Sequence, residues 1–403
     1  MTDYRSVEAL AVFRDSIMVG TLRRLPKGCE FRYTDDFLRS GQRRIALHLP
    51  LNLDGIRVEG IANLPTYFAG LLPEGIMFNA VRTVIGAAAD DLFAVLAATG
   101  TDAIGDIDVR IPGITDLKSG MNLEDASELI RDIVGNRANS GAERITAIPG
   151  VQPKISLGEV TRASRTSRYI AKFESPDFPN LVANEHVIMQ MARKCGVDAA
   201  QTTRTGSALL VKRFDRVYFR SAAVMTKVHV EDLIQVMDLM PSSKYIMEFD
   251  VLMTEIARLG ASKASLLDAM RLYVYSYLIG NGDLHAKNIS VLRDPDDGQW
   301  RLTPAYDLIS TLPYLDKIPG DRMALALANE SFGRFSLGEF VEFGLRFGLP
   351  ERATIKMIGG LCSGVMANVE MVHSMGFDAE TTATVKGEIL SRVEGLVASD
   401  ASK

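Results

Sequence analysis

The sequence predicts an α+β protein with two lobes, a β-rich N-terminal half and a helical C-terminal half, with its unusual polar residues gathered at the join. Three observations carry this. Residues 7–60 break into short runs of alternating apolar and polar residues, the period of strands with one buried face. From about residue 230 onward the pattern becomes predominantly helical. The chain has 403 residues, too many for one compact core and enough for two or three domains. With 47% hydrophobic and 24% charged residues, global disorder and fibrous architecture are excluded.

The elements follow in order. VEALAVF, MVGTL, CEFRYT and RIALHLPL, separated by polar turns, predict a small antiparallel sheet. Residues 64–99 turn helical, ending in DDLFAVLAATG, where Asp90 and Asp91 suit a helix start and Gly100 its end. GNRANSGAER (135–144) is the composition of a linker. KISLGEV and RYIAKF then predict a hairpin through TRASRTS, followed by a helix over 183–195 with Asn184 near its start and a strand over 207–214. Helices are expected at 230–239, 248–258, 264–280, 337–346, 352–373 and 379–398, interrupted by a β-hairpin at 289–303. These elements divide the chain into 1–134, 135–230 and 231–403.

The formal charge of −5 argues against bulk-charge binding of nucleic acid, so any such contact needs a local patch or a partner. Cys29, Cys195 and Cys362 are an odd, scattered set, which fits neither a disulfide framework nor a CxxC metal site and points to a reducing cytoplasm. The N-terminus lacks a basic region followed by an apolar stretch, and no uninterrupted apolar run reaches about 18 residues, so no membrane association is expected.

The densest cluster of chemistry-bearing residues is GNGDLHAKNISVLRDPDDGQWRLTPAYDLIS (280–310), directly after the apolar LYVYSYLI. NISVL and QWRLT flank DPDDG, a hairpin signal. A turn centred between Asp297 and Gly298 would bring Asn288 and Asp307 level at the open end, a few residues from Asp283. Hard oxygen donors in this grouping suit Mg²⁺, which is held by few protein groups plus substrate phosphates. Asp-x4-Asn with a later Asp is the logic of phosphoryl transfer: Asp283 receives the acceptor proton, and Asn288 and Asp307 hold the metal. The competing reading is a turn capped by Asp and Asn. Upstream, alternation places Lys172 with Ile170 on one strand face, where a lone lysine ordinarily meets solvent. Pro149-Gly150-Val151-Gln152-Pro153-Lys154 leads into the preceding strand as a phosphate-covering loop would, although it is no Walker motif. Glu185 could pair with Lys172 or serve only the helix dipole.

GVQPK, IAKF, NE at 184–185, VKRFDR, GDLHAKN and LTPAYDLIS occur in this order, and as a set they resemble the HipA family of bacterial toxin kinases. LPEG and DDLFAVLAATG resemble that family's N-terminal subdomain, so the similarity spans almost the whole chain. The resemblance implies a bilobal protein-kinase-like fold with an extra N-terminal subdomain, a helical C-lobe carrying a catalytic β-hairpin, and transfer of phosphate from ATP, with Mg²⁺, to serine or threonine. It also implies targets such as aminoacyl-tRNA synthetases, a HipB-like helix-turn-helix antitoxin, and operator DNA reached through that antitoxin. Position by position, Asp283 resembles the catalytic base and Asn288 and Asp307 the metal ligands. Lys172 resembles the phosphate lysine and residues 149–154 the phosphate loop. Lys212, Arg213 and Phe214 resemble the adenine hinge, with His285, Ala286, Lys287, Asn288 and Tyr306 completing the nucleotide site. Thr146 is the nearest match to the family's self-phosphorylated hydroxyl, ahead of Ser156. Two departures stand out: Lys212 replaces an acidic residue, and Pro149 and Pro153 remove backbone donors from the loop.

Other readings are weaker. A corepressor or scaffold without turnover would have no reason to keep Lys172, Asp283, Asn288 and Asp307 together, and the N-terminal module argues against a small-molecule kinase. His48, His186, His229 and His373 lack zinc spacing, there is no GxSxG, and Arg162, Arg165 and Arg168 read as a solvated turn.

Overall fold

Alternation in the first sixty residues does build a sheet. In the computed structural model, β1 (Ala9–Arg14), β2 (Ile17–Leu25), β3 (Gly28–Tyr33), β4 (Ile56–Glu59) and β5 (Ile107–Arg110) lie in the order β4-β3-β2-β1-β5, every neighbour antiparallel. The structure describes residues 2–60, 64–113, 154–157, 167–175, 177–206, 208–219, 224–318, 322–328, 330–332 and 334–398. The linker at 135–144, Thr146, Pro149 to Pro153 and the turn with Arg162 and Arg165 lie outside these residues.

RIALHLPL is not a strand. Its place at the sheet edge is taken by β4, which pairs with β3 from Gly28↔Glu59 to Phe31↔Ile56. The buried Ile45, Ala46 and Leu49 sit in turns instead, held where the Tyr33 hydroxyl donates to the Leu49 carbonyl at 2.8 Å. Gly28 is required where β4 approaches: its φ is 130°, and a Cβ there would lie 1.9 Å from the Val58 carbonyl. The helix Leu92–Thr99 starts as expected, with Asp91 accepting the Ala94 N–H at 3.0 Å, and ends at Gly100.

By contacts the chain divides into two units, Met1–Pro176 with Leu210–Pro241, and Asp177–Leu209 with Ser242–Lys403. These limits differ from boundaries drawn at 134 and 230, because each half lends the other a stretch of chain. In the first unit, strands Lys154–Leu157 and Tyr169–Phe173 pair antiparallel with Lys154 opposite Lys172. An unexpected hairpin, Arg216–Phe219 with Val224–Lys227, follows. The helix expected over 230–239 is shorter. Val230–Asp232 is extended, which buries Glu231 beside His229, and only Leu233–Val236 is helical, under an Asp232/Gln235 capping box.

The second unit is helical: Leu181–Lys194, Phe249–Arg258, Lys263–Leu278, Leu337–Arg346, Glu351–Asn368 and Ala379–Ala398. The first of these opens at Asn180, in a left-handed conformation, so Asn184 is an interior residue and not a start signal. Tyr273, Tyr275 and Tyr277 of Lys263–Leu278 are all buried, and the first two donate to the Leu325 and Ile188 carbonyls at 2.8 Å. A second hairpin, Arg322–Leu327 with Glu330–Phe332, interrupts the helices besides the expected one. The stretch Glu351–Met375 is apolar and long enough by composition to cross a membrane. Its helical part buries Thr354, Met357, Ile358, Leu361, Cys362 and Val365, the one-sided stripe of a helix packed on a protein core.

Candidate active site

Where Lys263–Leu278 ends, the backbone must leave the helix at once. Gly280 provides this with φ 67°, at a place where a Cβ would meet Leu312 at 2.5 Å. The loop that follows is fixed by side chains. Thr311 donates its hydroxyl to the Gly280 carbonyl and accepts the Gly282 N–H, both at 2.9 Å. Asn281, fully buried, accepts the Asp283 N–H at 3.1 Å. The Asn288 amide N–H donates to the Asp283 carbonyl at 3.1 Å, closing the loop over a 3-10 turn at Ala286–Asn288. His285, Ala286, Lys287 and Asn288 are all buried, while Asp283 is half-buried.

The expected hairpin forms, with Ser290–Arg293 against Trp300–Leu302. Its register, Val291↔Leu302 to Arg293↔Trp300, centres the turn between Asp296 and Asp297, one residue earlier than expected. Asn288 and Asp307 are therefore not level by register. Side chains make up the difference: the Tyr306 hydroxyl donates to the Lys287 carbonyl at 2.8 Å and accepts from the Ser290 hydroxyl, tying the residue before Asp307 to the one before Asn288. Asp307 itself has φ 54°, a left-handed conformation that Asp tolerates better than most residues. Beyond it, Asn184 clamps Ser310 in both directions, its Nδ2 donating to the carbonyl at 2.8 Å and its Oδ1 accepting the N–H at 3.0 Å. Asn184, Asn281 and Thr311 are positioning residues that sequence reasoning missed. Only the Asn-Glu pair at 184–185 hinted at the first.

Among the described residues no group of three His, Cys, Asp or Glu could hold a metal ion. The donors present nonetheless fit Mg²⁺, which keeps most of its shell as water and phosphate. Asn288 spends its N–H on Asp283, leaving the amide oxygen as the atom for a cation, and Asp307 supplies a half-buried carboxylate.

In the first unit Lys172 is 3% exposed, so the solvent-facing reading of a lone strand lysine fails. Arg213 donates its N–H to the Arg168 carbonyl at 3.0 Å, and its side chain is buried against Asp215 at 2.8 Å and Asp102 at 3.2 Å. A nucleotide contact through that guanidinium is excluded by this engagement; only the backbone of Arg213 could act as a hinge. Arg216 bridges the same two carboxylates at 2.8 Å. Nearby, Lys227 pairs with Asp108 at 2.6 Å, and His229 lies between Asp106 at 3.1 Å and Glu231 at 2.8 Å. Burial alone would raise Asp215 and Asp106, but Arg213 and Arg216 on the one, and His229 with Arg14 and Arg43 on the other, hold both carboxyls well below the usual range.

Comparison with known proteins accords with this geometry. The model of the HipA N-terminal domain matches residues 10–110, and that of the HipA-like C-terminal domain matches residues 146–369, more than half of the chain. The Y4dM protein of Sinorhizobium fredii is 30% identical over 278 residues, which are 63% of this chain and 64% of that protein, so just under two thirds of its length is spanned. The serine/threonine-protein kinase toxin HipA of Shewanella oneidensis is 27% identical over 90% of this chain and 89% of its own. A solved complex of Shewanella oneidensis HipA, HipB and operator DNA contains a chain with the same fold, at a TM-score of 0.77 and 23% identity, covering 96% of this chain and 97% of that one. With both domain models matched in order and the motifs of the loop and hairpin in place, this chain belongs to the HipA family.

Proposed function

We propose that this chain is a serine/threonine protein kinase that uses ATP and Mg²⁺ and acts as the toxin of a toxin–antitoxin pair. The observation that carries the proposal is the loop Asp283–Asn288, with Asp283 held by its backbone after a buried helix, Asn288 bonded to the Asp283 carbonyl, and Tyr306, the residue before Asp307, bonded to the Lys287 carbonyl. Asp283 accepts the proton of a serine or threonine hydroxyl as that oxygen attacks the γ-phosphorus and ADP departs. Asn288 and Asp307 hold the Mg²⁺, which when bound neutralises charge on the β- and γ-phosphates. Lys172 binds phosphate, Lys154 and its preceding loop cover it, and Lys212, Arg213 (through its backbone) and Phe214 serve the adenine, with His285, Ala286, Lys287 and Tyr306 shaping the rest of the site. Regulation follows the relative solved with HipB and operator DNA: a small helix-turn-helix partner restrains the toxin and brings it to DNA. The protein target would be a cytoplasmic one, an aminoacyl-tRNA synthetase being the first to try.

Two substitutions test the roles separately. Asp283→Asn should bind Mg²⁺-ATP normally in calorimetry and lose about 10²–10⁴-fold in phosphotransfer, the range of a general base. Asp307→Ala should weaken Mg²⁺-ATP binding itself; equal affinity in that variant and the wild type would sink the ligand assignment. Mass spectrometry after incubation with Mg²⁺-ATP then asks whether Thr146 is modified. A phosphate of about −1.5 to −2 charge there would repel the phosphates of ATP and halt turnover. Its absence from the active chain refutes self-modification at that residue.

A further inference from the structure

The last helix, Ala379–Ala398, carries a charge on its inward side. It buries Thr382, Val385, Ile389, Arg392, Val393 and Leu396, a stripe at helical spacing with an arginine in it. Arg392 is 3% exposed, and an arginine is almost never buried so deeply unless it is paired. Its Nη1 donates to the Tyr277 carbonyl at 2.8 Å, and its guanidinium lies 5.2 Å from the centroid of the Tyr277 ring. Its Nε donates to Glu388, one turn earlier, at 2.9 Å, and the second oxygen of Glu388 accepts from Arg334 at 2.8 Å. Both helices belong to the second unit. The match to the HipA-like C-terminal domain ends at residue 369, so neither Arg392 nor Glu388 lies within it.

The carbonyl that Arg392 holds belongs to the turn from which the candidate catalytic loop departs. Lys263–Leu278 ends in a Schellman turn: with Gly280 left-handed, the Asn281 N–H donates to the Ser276 carbonyl at 2.8 Å and the Gly280 N–H to the Tyr277 carbonyl at 3.1 Å. The Tyr277 oxygen thus accepts twice, from the turn itself and from the last helix. A guanidinium at this place also offsets the partial negative charge that a helix gathers at its C-terminus. The next links are short: Thr311 bonds to Gly280 and Gly282, and Asn281 accepts the Asp283 N–H. We propose that Arg392 is a positioning residue for the transfer: it pins the Schellman turn to the last helix, so that the backbone reaches Asp283 in one fixed direction. Glu388 supports it by holding the guanidinium toward Tyr277. The role rests on the kinase reading and acts through the backbone before Asp283.

Arg392→Met keeps a long apolar stem on the stripe and removes the donors, while the Gly280 N–H still serves the Tyr277 carbonyl. Full-length protein is assayed at a temperature where near-ultraviolet circular dichroism shows the variant folded, with ADP release from Mg²⁺-ATP and transfer to myelin basic protein measured together. There kcat should fall about 5- to 20-fold while the KM for ATP stays within about twofold, as expected when only the orientation of a catalytic group is lost. Wild-type kcat in the folded variant, even one that unfolds at a lower temperature, confines Arg392 to stability and overturns the inference, and so does any larger change in the KM for ATP. Where Arg392→Met does not fold, Glu388→Gln decides in its place. It should lower kcat about 2- to 5-fold at an unchanged KM for ATP, and wild-type kcat or a shifted KM overturns the inference. Wild-type protein that releases no ADP, or Asp283→Asn protein as active as wild type, overturns the kinase reading and this role with it.

Discussion

Single residues at this site work by holding backbone. Asn184 is the clearest case: wholly buried within a helix, it satisfies both backbone groups of Ser310, three residues after Asp307, and touches no expected ligand. Replacing it with alanine leaves a buried N–H and a buried carbonyl without partners, at about 1–3 kcal/mol. Thermal unfolding of Asn184→Ala should come several degrees earlier, and Mg²⁺-ATP affinity should fall because Asp307 loses its fixed approach. A variant that unfolds earlier yet binds Mg²⁺-ATP with wild-type affinity would confine Asn184 to stability. At the same scale, the three thiols are poor nucleophiles. Burial pushes Cys29 and Cys195 up to about 12 and Cys362 to about 11, so alkylation of the folded protein at neutral pH should be slow at all three.

Among elements, the segment Arg213–Glu231 is informative, because its charges are buried against the loop and strand at residues 102–108. His229 faces Asp106 and Glu231; Asp106 also meets Arg14 and Arg43, and Glu231 accepts the Leu47 N–H. Burial would lower His229, but the two carboxylates override it and raise the imidazole above its ordinary 6.5. A raised value stabilises the fold fully below the ordinary one and fades as pH climbs through the folded one. Asp106 is depressed, so its share is present above 3.8 and is lost on strong acidification. His229→Gln should therefore destabilise most near pH 5–6, by roughly 3–5 kcal/mol as for a buried pair losing one member, and less at pH 9. Chemical denaturation of both proteins at the two pH values checks this; a pH-independent difference would mean that His229 is buried neutral.

For the molecule as a whole, the same cluster decides which parts can stand alone. The matched N-terminal domain, residues 10–110, supplies Asp102, Asp106 and Asp108, and the C-terminal match supplies Arg213, Arg216, Lys227 and His229. A chain shortened to residues 146–403 would take Asp108 from Lys227, leave Arg213 and Arg216 to Asp215 and His229 to Glu231, and so cost several kcal/mol for each buried charge left short of a partner. It should be insoluble or molten when expressed, as judged by near-ultraviolet circular dichroism. Sharp, cooperative unfolding of that shortened chain would refute the claim that the N-terminal domain is part of the fold.

The sequence by itself determined the class of protein, most of the helices and the candidate residues of the central loop. Residues 337–346 and 379–398 were legible to the residue because an apolar stripe bounded by polar ends is a local signal. The strand placed at 44–51 failed because a run of apolar residues buries equally well in turns, and the edge of a sheet is settled by which segment reaches it. The 230–239 helix was shortened for the same kind of reason: Glu231 is drawn to a buried histidine that lies beside it only in the folded chain. A lone strand lysine ordinarily meets solvent, yet Lys172 is buried, since alternation tells faces apart but not which face is inside. Asp283, Asn288 and Asp307 announced themselves by type and spacing. What only the tertiary structure decided was how they are held: a hairpin register one residue away from the one the turn suggested, and anchors at Asn184, Asn281 and Thr311. Such anchors carry no motif, because a hydrogen bond between residues 31 or 126 positions apart is made by the packing of the chain and not by any local pattern within it.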